Sequence, residues 1–512
     1  MFKREILGKS IYEFEDQYFE EIKMLNIFGF NAWQIVKYPL YWELITQDEA
    51  QPSMADKAGV PGGKYFRKLS AQLKKAPDLL KLGFSLARVY LRARKRKDRT
   101  LIYAHSVDKA FNAEKEQYFN GLVDPFITNG IITSYIYTET PQEGKYKSPS
   151  QVSNDFKANE LVVLSSFIRF FSKDSAKVKE LARRLHTLLE GHFADSGIEV
   201  TVSATFLQNV LEGFCSEYKY SILFLKTIRP KLIITSERLG AGLLAASKKL
   251  GIPSIDLQHG LIDQHHAQYI YAKKMRSIKD SLIIPSFLGV FGRLHKNVLL
   301  FDEFWSEQEV VILGNSRIQA NREKYKQDIS GAGEKFVLIP TQKTTFRDLK
   351  TLLEKLIASD GLKCKVILKI HPLEPQANMA VYETLASRKP DWIQIATKDL
   401  NTYELMMKAR LVIGFDSAVL LEAVSMMRPC VTLTTAAAPR GIHGFYPNGG
   451  LEEAIIPVKV DETATLTDLI NQVVEDDSFY REWIKKLDIY SDNLYSKDYL
   501  QNCKKFINSV LP

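Results

Sequence analysis

The sequence predicts an α/β protein in which two doubly wound domains face a cleft, preceded by a helical N-terminal extension. Three observations predict this. From Thr100 onward, short apolar runs alternate with stretches of helical spacing, the pattern of parallel sheets with crossover helices. The alternation restarts in the second half of the chain, which gives two blocks. The chain of 512 residues is 45% hydrophobic and 25% charged, a globular composition that excludes collagen-like, low-complexity and disordered classes.

Residues 1–97 read as a mostly helical appendage with aromatic clusters (Phe28, Phe30, Trp33, Tyr38, Tyr41, Trp42) and a Pro/Gly-bearing loop at Gln51–Gly63. In the first block, 98–285, strands are expected at Leu101–Ala104, Ile131–Tyr137, Pro230–Thr235 and Ile252–Leu257. Leu161–Phe171 is ambiguous, Ser172–His192 is helical, and Leu239–Leu250 is a helix that Gly251 ends. In the second block, 286–465, strands are expected at Val310–Leu313, Phe336–Ile339, Lys365–Ile370, Trp392–Ile395, Leu411–Gly414 and Cys430–Leu433. Helices are expected at Phe346–Ala358, Tyr403–Ala409 and Ala418–Met427. The tail, 466–512, reads as helices that pack back on the N-terminal domain.

Composition limits the chemistry. The four cysteines (Cys215, Cys364, Cys430, Cys503) are dispersed with no CxxC, which disfavours disulfide scaffolds and zinc-thiolate sites and suits a reducing compartment. No uncharged apolar run reaches the roughly 18 residues of a membrane span, and the N-terminus turns acidic where a signal peptide is apolar. The expected location is the cytoplasm. The net charge of +9 is uneven: Arg88–Arg99 holds seven basic residues and one acid behind an apolar stretch, Leu79–Ala87. A basic amphipathic helix suits the anionic inner face of a membrane; the plainer reading is a solvated charge run at a domain boundary. No nucleic-acid module accompanies the patch.

Doubly wound domains bind ligands at the carboxyl ends of their strands, so the residues just after each strand are the candidates. Glu237 can serve as a general base or as a first-turn helix acid. Gln258-His259-Gly260 offers an imidazole on a tight turn, with His265 and His266 nearby, though carboxylate and thiolate partners at metal-ligand spacing are lacking. Lys369-Ile370-His371-Pro372 places two cationic groups on one face of an extended chain, suited to a phosphate, and Pro372 stops the strand. Asp416 and Ser417 open a helix that can present N–H groups to an anion, or they simply cap it. Glu422 lies one turn further, placed for ribose hydroxyls. The loop Pro439–Gly444 can close on a donor through its glycines. No GxGxxG or GxxxxGK[ST] follows a strand, which disfavours NAD and P-loop nucleotide binding. No paired aspartates are placed to hold a metal against a diphosphate, so metal-independent chemistry without a cofactor is expected.

The string from Pro230 to Gly260, with Val311-Ile-Leu-Gly314-Asn315, Lys369-Ile-His-Pro372 and Gly414-Phe-Asp-Ser…Glu422, resembles bacterial surface-polysaccharide glycosyltransferases of the GT-B type. The QHG and KxHP pair is similar to CMP-sugar-using capsule and O-antigen enzymes, including Kdo, sialyl- and polysialyltransferases. It is also similar to the glycerophosphotransferases of teichoic acid synthesis, which carry Trp where this chain has Gln258. The likeness covers about 230–430 well, 100–230 loosely and 1–97 not at all. It implies two Rossmann-like domains, the first for an acceptor and the second for a nucleotide-sugar. It implies that Lys369, His371, Pro372, Asp416, Ser417 and Glu422, with Gly260, Gly314 and Asn315, hold the nucleotide-sugar. Glu237 is then the base, with Asp124 as second choice, and His259 helps hold donor or acceptor. The partners implied are a nucleotide-sugar, a glycan or lipid-linked glycan and an anionic membrane surface. A glycerophosphate or polyol-phosphate transferase and a non-catalytic nucleotide-sugar-binding subunit are the alternatives.

Membrane attachment through the basic stretch gains about 1 kcal/mol per basic residue near an anionic surface and is screened by salt. Sedimentation with anionic liposomes is expected to fall as ionic strength rises, and to vanish when Arg92, Arg94, Lys95, Arg96 and Lys97 are neutralised together. Liposome binding by that variant would leave the solvated-helix reading.

Overall fold

The computed structural model describes residues 2–46, 91, 100–104, 109–112, 117–139, 156–157, 175–236, 240–326, 335–359, 361–371, 374–396, 400–436, 438–446 and 449–511. Two short antiparallel pairs, β1 (Asn26–Ile27) with β2 (Phe30–Asn31) and β4 (Lys109–Asn112) with β5 (Gln117–Asn120), stand outside two large parallel sheets. The first sheet holds β3 (Thr100–Ala104), β6 (Tyr135–Glu139), β7 (Phe156–Lys157), β8 (Leu232–Ser236), β9 (Ser254–Leu257), β10 (Phe287–Val290) and β11 (Val310–Ile312). Their order is β11-β10-β9-β8-β3-β6-β7, every pair parallel. The second sheet holds β12 (Phe336–Pro340), β13 (Lys365–Lys369), β14 (Ile393–Ala396), β15 (Leu411–Gly414), β16 (Cys430–Thr434) and β17 (Ile455–Lys459), ordered β14-β13-β12-β15-β16-β17 and again all parallel.

Both sheets start in the middle, build outward on one side and then on the other. Each is therefore a Rossmann-like, doubly wound sheet whose winding reverses once, between β3 and β8 and between β12 and β15. The central strands are buried along their whole length, as in Leu-Ile-Ile-Thr-Ser of β8 and Phe-Val-Leu-Ile-Pro of β12. Near-continuous apolar runs belong to parallel strands covered by helices on both faces.

The segment 2–46 is not an appendage. Its helices Phe2–Gln17 and Ala32–Thr46 share a core with Ser175–Asp195, Ala204–Ile228 and the segment 262–305. A buried ion pair fastens them: Lys37 Nζ lies 2.7 Å from Glu15 Oε1 and donates to the Ile270 carbonyl at 2.5 Å. Glu15 also accepts from the Trp33 indole and from the Ala272 backbone N–H, each at 2.9 Å. Lys37 stands 4.1 Å from the centre of the Tyr271 ring. The basic stretch Arg88–Arg99 lies outside the described residues apart from an exposed Leu91.

Two expected boundaries move. The strand expected at Val310–Leu313 opened the second block, and no strand was expected at Phe287–Val290; yet β10 and β11 hydrogen-bond to β9 and to each other and complete the first sheet. A run such as Val310–Ile312 identifies a strand without saying which sheet receives it. Of the tail, the helices Thr463–Glu475 and Asp477–Leu494 pack into the second domain's core. Only Tyr499–Val510 returns to the first sheet, through Tyr499, Cys503, Phe506 and Ile507.

The domains are stitched near the helix Ser316–Lys324. Arg322 donates to the carbonyls of Ser425 at 3.0 Å, and of Tyr495 and Ser491 at 2.8 Å each, satisfying the ends of two helices at once. His295 of the first domain meets the Tyr446 hydroxyl of the second at 3.2 Å. Burial pushes that imidazole down to about 3, so it stays neutral.

Removing one member of a buried ion pair strands the other, at a cost of about 3–5 kcal/mol. Glu15→Ala is expected to lower the midpoint of denaturant unfolding accordingly. The check is whether a double variant, Glu15→Leu with Lys37→Met, recovers much of the loss.

Candidate functional site

The carboxyl edge of the second sheet is where three expected segments meet. β13 and β15 flank β12, so the residues after these three strands are neighbours. Thr341, just beyond β12, organises the edge. Its backbone N–H donates to the Lys369 carbonyl at 2.9 Å, and its hydroxyl oxygen accepts the His371 N–H at 3.0 Å. The same hydroxyl donates to Glu374 Oε2 at 3.0 Å. Glu374 is buried, its N–H donates to the His371 carbonyl at 2.9 Å, and Asn378 donates to its other oxygen at 2.7 Å. The turn that carries His371 is thus tied down on both sides. Sequence reading missed Thr341 and Glu374; the available signal was a polar residue directly after the apolar run Phe336–Pro340.

Lys369 and His371 do not share one environment, contrary to the expectation of two groups on one face. Lys369 is buried in the ladder between β12 and β14, whereas His371 lies beyond the strand and is exposed. Pro372 lies outside the described residues.

After β15, Ser417 caps the helix Ala418–Ser425, its oxygen accepting the Val419 N–H at 3.3 Å. Its own O–H remains available to donate. Asp416 Oδ1 and the Gln342 side-chain oxygen, at the ends of β15 and β12, are buried without a hydrogen-bond partner in the structure. Both are acceptors at the reversal point of the sheet. Glu422, expected to meet a ribose, is committed to the fold: Arg317 donates to Oε1 and the Tyr403 hydroxyl to Oε2, each at 3.0 Å. Each oxygen retains one lone pair for a ligand. Arg317 and Tyr403 escaped sequence reading because they come from elements about 86 residues apart.

At the first sheet's edge, Gln258 donates to the Gly260 carbonyl at 2.7 Å and accepts the Phe291 N–H at 2.8 Å, which clamps the loop after β9 to the end of β10. His259, between them, is partly exposed. Gly314 has φ +93°, a conformation suited to glycine, and a Cβ there would meet the Ser496 carbonyl oxygen at 2.9 Å. Asn315 does not face a ligand with its oxygen: Oδ1 caps the next helix, accepting from Arg317 N at 2.9 Å and Ile318 N at 3.2 Å. Asp124 is fully buried, with Asn120 N–H at 2.9 Å and the Tyr137 hydroxyl at 3.0 Å, so it cannot reach an acceptor. Glu237 lies outside the described residues.

A different carboxylate occupies the reversal point of the first sheet. Glu217, from the helix Ala204–Ile228, accepts the Gly242 N–H at 3.2 Å at the start of the helix Ala241–Lys249 that follows β8. A Cβ on Gly240 would stand 1.4 Å from Glu217 Oε1, so the glycine makes the room. Burial pushes this carboxyl up to about 7, against the backbone N–H groups of Gly242 and Leu243 that pull it down. Tyr103 of β3 and Tyr220 are its neighbours.

The loop Pro439–Gly444 is anchored. Gly441–Gly444 forms a buried turn, the Ile442 N–H donates to Thr432 Oγ1 at 3.1 Å, and His443 Nε2 bonds the Ile455 carbonyl at 3.0 Å. The expectation of a glycine-hinged lid overlooked these backbone partners. Among the described residues, no three His, Cys, Asp or Glu side chains converge as metal ligands, and no helix is long and apolar enough to cross a membrane.

Solved structures with similar folds include UDP-GlcNAc 2-epimerase from Neisseria meningitidis bound to UDP-GlcNAc (14% identity, 81% of this chain, 99% of that chain, TM-score 0.48). The UDP-GlcNAc 2-epimerase of Methanocaldococcus jannaschii in complex with UDP-GlcNAc and UDP matches at 14% identity over 80% and 99% of the two chains, TM-score 0.40. The wall teichoic acid polymerase TagF matches at 13% identity over 87% and 97%, TM-score 0.44. No family model matches the chain, and neither does any curated protein sequence. At this level of similarity no function carries over from these proteins to this chain.

Glu217 makes stability pH-dependent. Its folded state holds a proton more tightly than the unfolded chain, so its contribution is intact below the ordinary value of 4.5 and is lost as pH rises toward about 7. Glu217→Gln is expected to flatten the fall in unfolding free energy between pH 5 and 7, measured by urea titration at several pH values; an unchanged slope would show the carboxyl titrating normally.

Proposed function

We propose that the chain is an inverting, metal-independent glycosyltransferase that takes a sugar from a nucleotide-activated donor. The observation that supports this most is the second sheet's reversal point, where an exposed imidazole on a tethered turn stands across β12 from a Ser-capped helix N-terminus. Strands one apart from a common neighbour lie roughly 10 Å apart, a span that suits a phosphate and its ribose. His371 receives the phosphate charge, the N–H groups and hydroxyl at Ser417 receive the other side, and buried Lys369 adds positive charge beneath. The Asp416 and Gln342 oxygens accept from ribose or base donors, and Glu422 backs the ribose while it holds Arg317.

The acceptor enters from the first domain. Glu237 takes the proton from its hydroxyl, the oxygen attacks the anomeric carbon, and the nucleotide leaves with the bond's electron pair. Stabilising the charge on the leaving phosphate is where the electrostatic gain is greatest, and His259 steadies donor or acceptor. CMP is the leaving group that fits the QHG and KxHP resemblance, with a Kdo or sialic-acid type sugar delivered to a growing surface glycan at the cytoplasmic membrane.

His371→Ala is expected to weaken nucleotide binding by about 1.5–3 kcal/mol, the worth of a charge-assisted contact, with thermal stability unchanged. Calorimetry across CMP-, UDP-, GDP- and CDP-linked donors measures this, and unchanged affinity would remove His371 from the site. Turnover is expected to survive EDTA; loss on chelation with recovery in magnesium or manganese would refute the metal-independent mechanism.

A further inference from the structure

A cavity of about 320 Å³ lies where the two domains meet, and the chemistry above makes no use of it. Its walls are the helix Arg293–Leu300 after β10, the residues Tyr446, Gly449 and Leu451 after β16, and the end of the helix Asp477–Leu494. The approach is close: a Cβ on Gly449 would stand 2.9 Å from both Leu294 Cδ1 and Tyr446 Cβ.

Two classes of side chain line it. Phe301, 68% exposed, and the half-buried ring of Tyr490 supply flat apolar surface, while Tyr446, also in the lining, is buried. Tyr446 is fixed by His295, and Tyr490 is hydrogen-bonded to Glu453. Gln264, Arg293 and Asn297 supply polar groups, and these three side chains make no hydrogen bond or ion pair with any described residue. Among the described residues of the lining, Arg293 alone is charged.

The volume is at the small end for a ligand pocket and suits one ring rather than a nucleotide-sugar. Rigid aromatic faces beside unspent amide groups match a ring with apolar C–H faces and hydroxyl edges. An unpaired guanidinium presents a planar fork that fits a carboxylate. We propose that this cavity binds a single carboxylate-bearing sugar residue of a glycan. The inference does not require the transfer reaction proposed above, since the cavity shares no lining residue with the edge formed by Thr341, His371 and Ser417.

The test is ligand-observed NMR titration of the full chain, without nucleotide, using methyl β-D-glucuronide, methyl α-D-galacturonide and the neutral methyl β-D-glucoside. At least one uronide is expected to bind, and more tightly than the glucoside. Arg293→Met is expected to weaken uronide binding by roughly tenfold or more with an unchanged melting temperature, and Asn297→Ala to weaken uronide and glucoside alike. His371→Ala is expected to leave uronide binding intact, which separates this cavity from the nucleotide edge. Failure of both uronides to bind, equal affinity for uronide and glucoside, or unchanged uronide binding by Arg293→Met would each overturn the proposal.

Discussion

Parallel pairing is the constraint on which the rest of this molecule depends. A parallel strand cannot hairpin back to its neighbour, so the chain must cross over each time, mostly through an α-helix, and through segments with only 3-10 turns between β9 and β10 and between β16 and β17. All strand ends of one sense therefore emerge on a single edge, and the single reversal of winding opens a crevice there. Residues such as Thr341, His371 and Ser417 lie on one edge because each comes just after a strand, although they span 76 positions in sequence. The Thr341 hydroxyl then fixes the local geometry, joining the ends of β12 and β13 through one oxygen that accepts from His371 and donates to Glu374.

The same edge creates a competition. Every crossover helix begins there, and each leaves N–H groups that need acceptors. A polar residue after a strand can answer that need or meet a ligand. Asn315 answers it with two backbone bonds at 2.9 and 3.2 Å, and Glu217 answers it from a neighbouring helix. Ser417 makes one longer bond and keeps a donor. Asp416 and Gln342 keep buried oxygens that no described residue satisfies, and a buried acceptor left without a donor costs about 1–3 kcal/mol. Donors on a ligand would recover that cost, which makes these oxygens informative where the capping oxygens are not.

The link between the domains is polar and layered. Arg317, Glu422 and Tyr403 form one joint close to the Ser417 helix end, and Arg322 forms another at two helix C-termini. Burial and the Glu422 carboxylate push the Tyr403 phenol up, so it remains a donor. A ligand that met Glu422 would therefore act on the group that also anchors the helix Ser316–Lys324, which follows the first sheet.

By itself, the sequence determined the class of fold and most strands of the two parallel sheets, while β7, β10 and β17 were not expected from it. Apolar runs such as Leu232–Thr235, Phe336–Ile339 and Leu411–Gly414 are too short for buried helices and too uniformly apolar for a solvated sheet face, and the residues just after them became the candidate sites. Sheet membership was beyond its reach, because a short apolar run does not name the neighbour it will hydrogen-bond, and β10 and β11 pair onto β9 of the first sheet. The integration of residues 2–46 was equally hidden, since the partners of Glu15 and Lys37 include backbone groups more than 230 positions away. Only tertiary structure decided which post-strand polar groups are spent on helix ends and which remain for a ligand, because that depends on where each helix N-terminus finally points.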